Sequence, residues 1–176
     1  MTVSGCGEDT PDEPAKPTNT KPSQPAPEQT SETADPQAKE KDEVLRSYSG
    51  MWTEQMKAYR KADAKGTDLE KYATLKALGR FELDLARMKK AGTVVRGELG
   101  HEDTRVTQLD LKAKVPTAKV TDCMDISKWQ TYNTKQKKVI PFPDGQPLRY
   151  QATASAERWE GRWMITEFTT HGDKKC

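Results

Sequence analysis

The chain has 176 residues, 33% hydrophobic and 32% charged, with a formal net charge of only +2. That length suits one domain, and no apolar run approaches the roughly 18–20 residues that a membrane-crossing helix needs. The near-neutral total hides a division: residues 1–38 hold seven acids against Lys16 and Lys21, a net of −5, whereas residues 39–176 hold 27 basic and 20 acidic side chains, a net of +7.

Residues 1–38 contain seven of the eleven prolines and almost no large apolar side chain. Such a segment cannot bury enough surface to offset the entropy of ordering it, so a disordered tether is expected there. Near its start, Val3-Ser4-Gly5-Cys6 resembles the lipobox of bacterial lipoproteins, in which an aliphatic and two small residues precede the cysteine that takes the lipid. The resemblance implies that Cys6 is the lipid-attachment site and that the Pro/Thr/Glu/Ser-rich arm spans the space outside a membrane. The apolar stretch that precedes a lipobox is absent ahead of Val3, so the expected precursor starts further upstream.

Residues 39–64 read as a helix: Val44, Leu45, Tyr48, Met51, Trp52, Met56 and Tyr59 recur every three or four positions, and Lys65-Gly66 ends the pattern. Thr67-Asp68-Leu69-Glu70 has the spacing of a capping box for a second helix, which runs through Leu75, Leu78, Phe81, Leu85 and Met88, bends at Gly79 and stops at Gly92.

Beyond Gly92 the apolar period changes to two. Strands are predicted over 93–98, 105–115, 119–127 and 129–134, with a basic turn at 135–138 and a Pro-Asp-Gly turn within 141–147. Leu148–Arg158 and Trp163–Thr170 form the clearest hairpin, around Trp159-Glu160-Gly161-Arg162. Helices first and antiparallel strands afterwards imply an α+β fold, with amino-terminal helices packed on a curved antiparallel sheet of four to six strands in a single domain over 39–176.

With Cys6 set aside, two cysteines remain. An even remainder in an exported domain predicts a disulfide between Cys123 and the last residue, Cys176. Neither belongs to a metal-ligand pattern, so no metal is expected and no cofactor is called for.

The chemistry-bearing residues are sparse. Asp122 shares strand parity with Val120, Met124 and Ile126, and an inward carboxylate among apolar walls can serve as a general base. Glu167, in step with Trp163 and Ile165, is a second candidate. His101, in a polar Gly-His-Glu-Asp turn, and His171, near the chain end, read as solvated. Trp129, Tyr132, Trp159 and Trp163, interleaved with Lys128, Lys135, Lys137, Lys138, Arg158 and Arg162, offer a binding strip for a sugar or polymer, against the plainer reading of cross-strand packing. The domain's modest basic excess suits an anionic envelope polymer or lipid headgroups rather than a nucleic acid.

Two or three helices followed by antiparallel strands resemble the nuclear transport factor two-like (cystatin-like) cone, in which a sheet wraps around helices and leaves a pocket. A cystatin-type open sheet is the other arrangement of this kind. Ala91-Gly92-Thr93-Val94, Thr121-Asp122-Cys123-Met124-Asp125, Trp159-Glu160-Gly161-Arg162-Trp163 and the final Cys176 are similar to stretches of secreted actinobacterial lipoproteins. The resemblance implies a fold and an extracytoplasmic, membrane-anchored or secreted location, not an activity. Three functions therefore stand open: a non-enzymatic binding or accessory module in the cell envelope, a small pocket enzyme of isomerase or dehydratase type, and a structural presenter for an envelope partner.

Overall fold

The structure, a computed structural model, describes residue 35 and residues 37–176. The expected tether and its Cys6 lie outside the described residues. The described chain is α+β: two helices and a short 3-10 turn precede seven strands in two antiparallel sheets.

Helix α1, Ala38–Tyr59, buries Val44, Tyr48, Met51, Trp52, Met56 and Tyr59, the stripe that the three- and four-residue spacing predicts. It ends one turn earlier than Lys65-Gly66 implies, and Ala62 then takes a left-handed φ of 52°. The capping box does not form. Thr67 Oγ1 donates to Ala64 O at 2.7 Å, and the carboxylate that receives Asp68 N–H is Glu54 of α1, at 3.0 Å. A 3-10 turn, Leu69–Lys71, takes the place of the first helical turns.

Helix α2, Leu75–Ala91, starts later than predicted because the last strand, β7 (Arg162–His171), claims the residues before it. Ile165 N–H donates to Tyr72 O at 2.7 Å and Ile165 O accepts from Thr74 N–H at 2.9 Å, forming a bridge at Ala73. This bridge covers part of the outer side of β7, an edge strand whose backbone groups would otherwise lack partners. Gly79 lies inside α2, and Gly92 closes the helix in the left-handed conformation with φ 69°.

Strands β1 (Thr93–Gly97), β4 (Trp129–Asn133) and β5 (Lys138–Ile140) form a three-stranded sheet in the order β1-β4-β5. Strands β2 (Gly100–Asp110), β3 (Thr117–Asp125), β6 (Arg149–Trp159) and β7 (Arg162–His171) form a four-stranded sheet in the order β2-β3-β6-β7. The paired β2 and β3 continue into the paired β1 and β4 across a break at Glu98-Leu99 and Ile126–Lys128, so one curved surface is divided in two. Gly97 makes the break: its φ is 78°, and a Cβ there would lie 1.8 Å from Lys128 O.

The main core lies between the helices and the inward rows of the four-stranded sheet, with Phe81, Met51, Val120, Ala152, Ala154, Ala156, Ile165 and Phe168 packed together. The predicted hairpin is present, and its turn residues Glu160 and Gly161 have φ of 50° and 79°, the handedness that matches strand twist.

Candidate functional site

A cavity of about 380 Å³ opens between the carboxy-terminal halves of both helices and the two sheets. Helix α1 contributes Trp52 and Tyr59, and α2 contributes Asp84, Arg87 and Met88. Val95, Trp129 and Thr131 come from the three-stranded sheet, Met124, Tyr150 and Thr170 from the four-stranded one, and Phe142 and Gln146 from the loop after β5. Leu99 and Ile126, at the break, complete the wall, so the bend that Gly97 permits also shapes the cavity.

The lining is mainly apolar and aromatic. Tyr59 and Trp129 meet edge to face with ring centres 5.8 Å apart. Polar groups are few and mutually engaged: Tyr59 O–H donates to Asp84 Oδ2 at 3.3 Å, and Arg87 lies 3.5 Å from the other oxygen of Asp84. Burial, reinforced by the Asp84 carboxylate, pushes the Tyr59 phenol well above its ordinary pKa. Gln55, one turn earlier, is fully buried, and its side-chain amide has no hydrogen-bond partner among the described residues.

Trp52 divides this cavity from a second, polar cluster. Its ring packs on Phe168 and Phe81 at centre distances of 5.0 and 5.8 Å, and on His101 at 5.6 Å. Behind it the Asp122 side chain is only 1% exposed and accepts from three directions. Tyr48 O–H donates to Oδ2 at 2.8 Å, Thr104 O–H donates to Oδ1 at 2.8 Å, and His101 Nδ1 lies 2.6 Å from Oδ2. Three donors around one buried carboxylate supply what its desolvation removes. The Tyr48 phenol is pushed far above its ordinary pKa, first by burial and then by the neighbouring Asp122 charge.

Local structure explains the convergence. Asp122 sits opposite Ala152 on the inward row of β3. His101 faces Met124, and a bulge between Glu102 and Arg105, with Asp103 at φ 50°, turns Thr104 toward the same carboxylate. The His101 side chain is 28% exposed and lines a smaller cavity of about 220 Å³ with Leu45, Tyr48, Ser49, Trp52 and Thr104. A carboxylate on one imidazole nitrogen fixes the ring and leaves the other nitrogen available for proton transfer.

The structure thus revises several expectations. Asp122 points inward, but its oxygens are occupied and it lines neither cavity. Glu167 faces outward: Thr166 is an extra residue in the β6–β7 register, which places Glu167 opposite Ser155 and pairs it with Lys76 at 3.1 Å. His101 is not a solvated turn residue but part of β2, bonded to Asp122. His171 Nε2 lies 2.9 Å from Thr153 Oγ1.

The four aromatic residues do not form one strip. Trp163 is buried, with its indole N–H donating to Glu40 Oε2 at the start of α1, whereas Trp129 packs on Tyr59 at the end of that helix. Those two positions are about 28 Å apart along the helix axis. Trp159 donates to Glu157 Oε2 at 2.8 Å, and Tyr132 lies beneath the Arg96 guanidinium, 3.3 Å from the ring centre.

Cys123 and Cys176 are joined, as predicted, with Cα atoms 5.9 Å apart. Among the described residues, no group of three or more His, Cys, Asp and Glu side chains could hold a metal ion. Nor is any described helix long and apolar enough to cross a membrane.

No family model and no curated protein matches the chain. Among solved structures, the intermembrane space region of the chloroplast protein ARC6 is similar over 71% of this chain and 94% of that one, at 13% identity and a TM-score of 0.46. At that level the likeness assigns neither a fold family nor a function.

Proposed function

We propose that this protein is an extracytoplasmic binding module of the cell envelope, held to the membrane through a lipid on Cys6, and that its ligand is a small, mainly apolar molecule. The observation that carries the binding role is the 380 Å³ cavity, whose size and apolar lining with a few polar groups suit small-ligand binding. Its one carboxylate among the described residues, Asp84, is engaged by Tyr59 and Arg87, which favours holding a ligand over transforming it. A disulfide in a domain of this size supports an oxidising compartment, and the lipobox-like start supports the anchor.

Tryptophan fluorescence tests the cavity, because Trp52 and Trp129 line it. Titration of the full chain with decanoate and with anilinonaphthalene sulfonate should give saturable changes, and Thr131→Phe, which fills the cavity from β4, should abolish them. Unchanged binding in that variant would remove the assignment. Membrane fractionation of the full-length precursor, with and without Cys6→Ser, tests the anchor; equal release of both forms counts against it.

A second reading, a pocket enzyme, rests on the 2.6 Å His101–Asp122 contact beside the smaller cavity. In that case His101 is the acid–base group and Asp122 its positioning residue. His101→Gln would then abolish turnover while leaving binding in the larger cavity intact.

A further inference from the structure

Outside the 380 and 220 Å³ cavities, the proposed function leaves the distribution of charge on the fold unused. Residues 85–97, covering the end of α2 and β1, carry Arg87, Lys89, Lys90 and Arg96 and no acid. Residues 126–143, covering β4, β5 and their flanks, carry Lys128, Lys135, Lys137 and Lys138, again with no acid. Over the rest of 39–176 there remain 19 basic and 20 acidic side chains. The basic excess of the whole domain therefore resides in these two segments.

The fold brings them together. Thr93 pairs with Asn133, and Asn133 with Lys138, so the last turn of α2 and the β4–β5 turn meet at one end of the three-stranded sheet. Thr134 donates from both its N–H and its hydroxyl to Gly92 O, at 2.8 and 2.9 Å, and the Lys135 stem lies over Gly92. Asn133 Oδ1 accepts from Lys135 N–H and Gln136 N–H, fixing the turn, and Lys137 takes a left-handed φ of 54°. Asp63 is 3.9 Å from Lys89, whereas Lys90, Lys135, Lys137 and Lys138 have no acidic partner within 4.0 Å among the described residues.

Next to the lysines, Val139 and Ile140 are 44% and 40% exposed on β5, an edge strand of its sheet. A soluble polyanion would use the lysines and leave two large aliphatic side chains in water. Neighbours on a strand point to opposite faces, Val139 with Tyr132 and Ile140 with Thr131, so an anionic bilayer reaches both by meeting the free edge of β5, where it takes the cations at its headgroups and the aliphatic tips just below them.

From this juxtaposition we infer that the β4–β5 hairpin and the end of α2 form a docking face for an anionic lipid bilayer, separate from any acyl anchor. The test uses full-length Cys6→Ser protein, so that no acyl group contributes, and sedimentation with vesicles of phosphatidylcholine alone or with about one-third phosphatidylglycerol. The expected result is binding to the anionic vesicles only, weakened by salt.

The triple variant Lys135→Glu, Lys137→Glu, Lys138→Glu should lose affinity by about a hundredfold or more. Replacement of the same lysines by Gln should lose less but in the same direction, and unaltered circular dichroism confirms that both variants fold. Lys112→Glu, Lys114→Glu and Lys119→Glu together impose the same charge change at the far end of the β3–β4 path and should leave binding within about twofold. Val139→Ser with Ile140→Ser should weaken vesicle binding without altering the response to salt.

An equal loss in the far-end variant would reduce the effect to net charge and overturn the assignment. So would undiminished vesicle binding by the Val139/Ile140 variant together with equally tight binding of soluble polyphosphate, which would make the partner a polyanion. Failure of cavity ligands to bind would leave this inference standing, because the two experiments read different surfaces.

Discussion

At the scale of single residues, the Asp122 cluster illustrates how a buried charge is made tolerable. Tyr48, Thr104 and His101 arrive from α1 and two sites on β2, and each supplies one polar contact to a carboxylate that water cannot reach. A phenol held against that carboxylate has direct consequences for stability. The folded-state pKa of Tyr48 lies above its unfolded value, so its contribution is complete below about pH 10, the ordinary tyrosine value, and is lost as pH rises further, because the unfolded chain then releases a proton that the folded one retains. Tyr48→Phe should therefore lose about 1.5–3 kcal/mol at neutral pH from the missing hydrogen bond to a charged acceptor, yet fall less steeply above pH 10. Denaturant melts on both sides of that pH measure the two effects; a parallel alkaline decline in both proteins would show that Tyr48 titrates normally. The Asp122 side of this cluster is legible in the sequence, through its parity with Val120 and Met124. The His101 side is not, because Gly-His-Glu-Asp has a turn's composition, whereas the fold pairs Gly100–Glu102 with β3 and places the bulge just after them, at Asp103.

At the scale of elements, periodicity carries most of the fold, and local motifs mislead where tertiary partners compete. The α1 stripe, the Gly92 stop and the final hairpin follow from spacing and turn chemistry alone. The Thr67–Glu70 capping box fails because Thr67 donates both its N–H and its hydroxyl to Ala64 O, and Glu54, fourteen residues away from Asp68 in sequence, takes the next N–H. Glu167 is misread because Thr166 inserts one residue and reverses the parity of everything after it, a shift invisible to a strict two-residue period. The division of the curved surface into two sheets rests on Gly97. Alanine there would meet both an unfavourable positive φ and Lys128 O at 1.8 Å. Gly97→Ala should consequently destabilise by about 2–4 kcal/mol. Because Leu99 and Ile126 of the break line the cavity, it should also weaken decanoate binding in the fraction that remains folded. Thermal melts and the fluorescence titration read the two effects, and wild-type values in both would mean that the break tolerates a side chain.

At the scale of the whole molecule, the disulfide determines how the chain end is held. Cys123, Gln151 and His171 share one row across β3, β6 and β7. After His171 the chain returns across that row: Gln151 N–H donates to Lys174 O at 2.9 Å, and Cys176 reaches Cys123. The covalent bond thus ties Cys176 to a strand two positions inside the sheet and holds the segment after β7 across its end. Its sequence separation of 53 residues corresponds to about 4 kcal/mol of lost unfolded-state entropy. Adding reductant should lower the denaturation midpoint of the wild-type chain to that of a Cys123→Ser, Cys176→Ser double variant, which itself should not respond. Amide exchange should quicken first at Thr169–His171, the last residues of β7. Since Thr170 lines the larger cavity, reduction should also weaken ligand binding, coupling the redox state of the surroundings to occupancy. A wild-type midpoint indifferent to reductant would mean that the packing of β7 against β6 and α2, and not the sulfur bridge, retains the chain end.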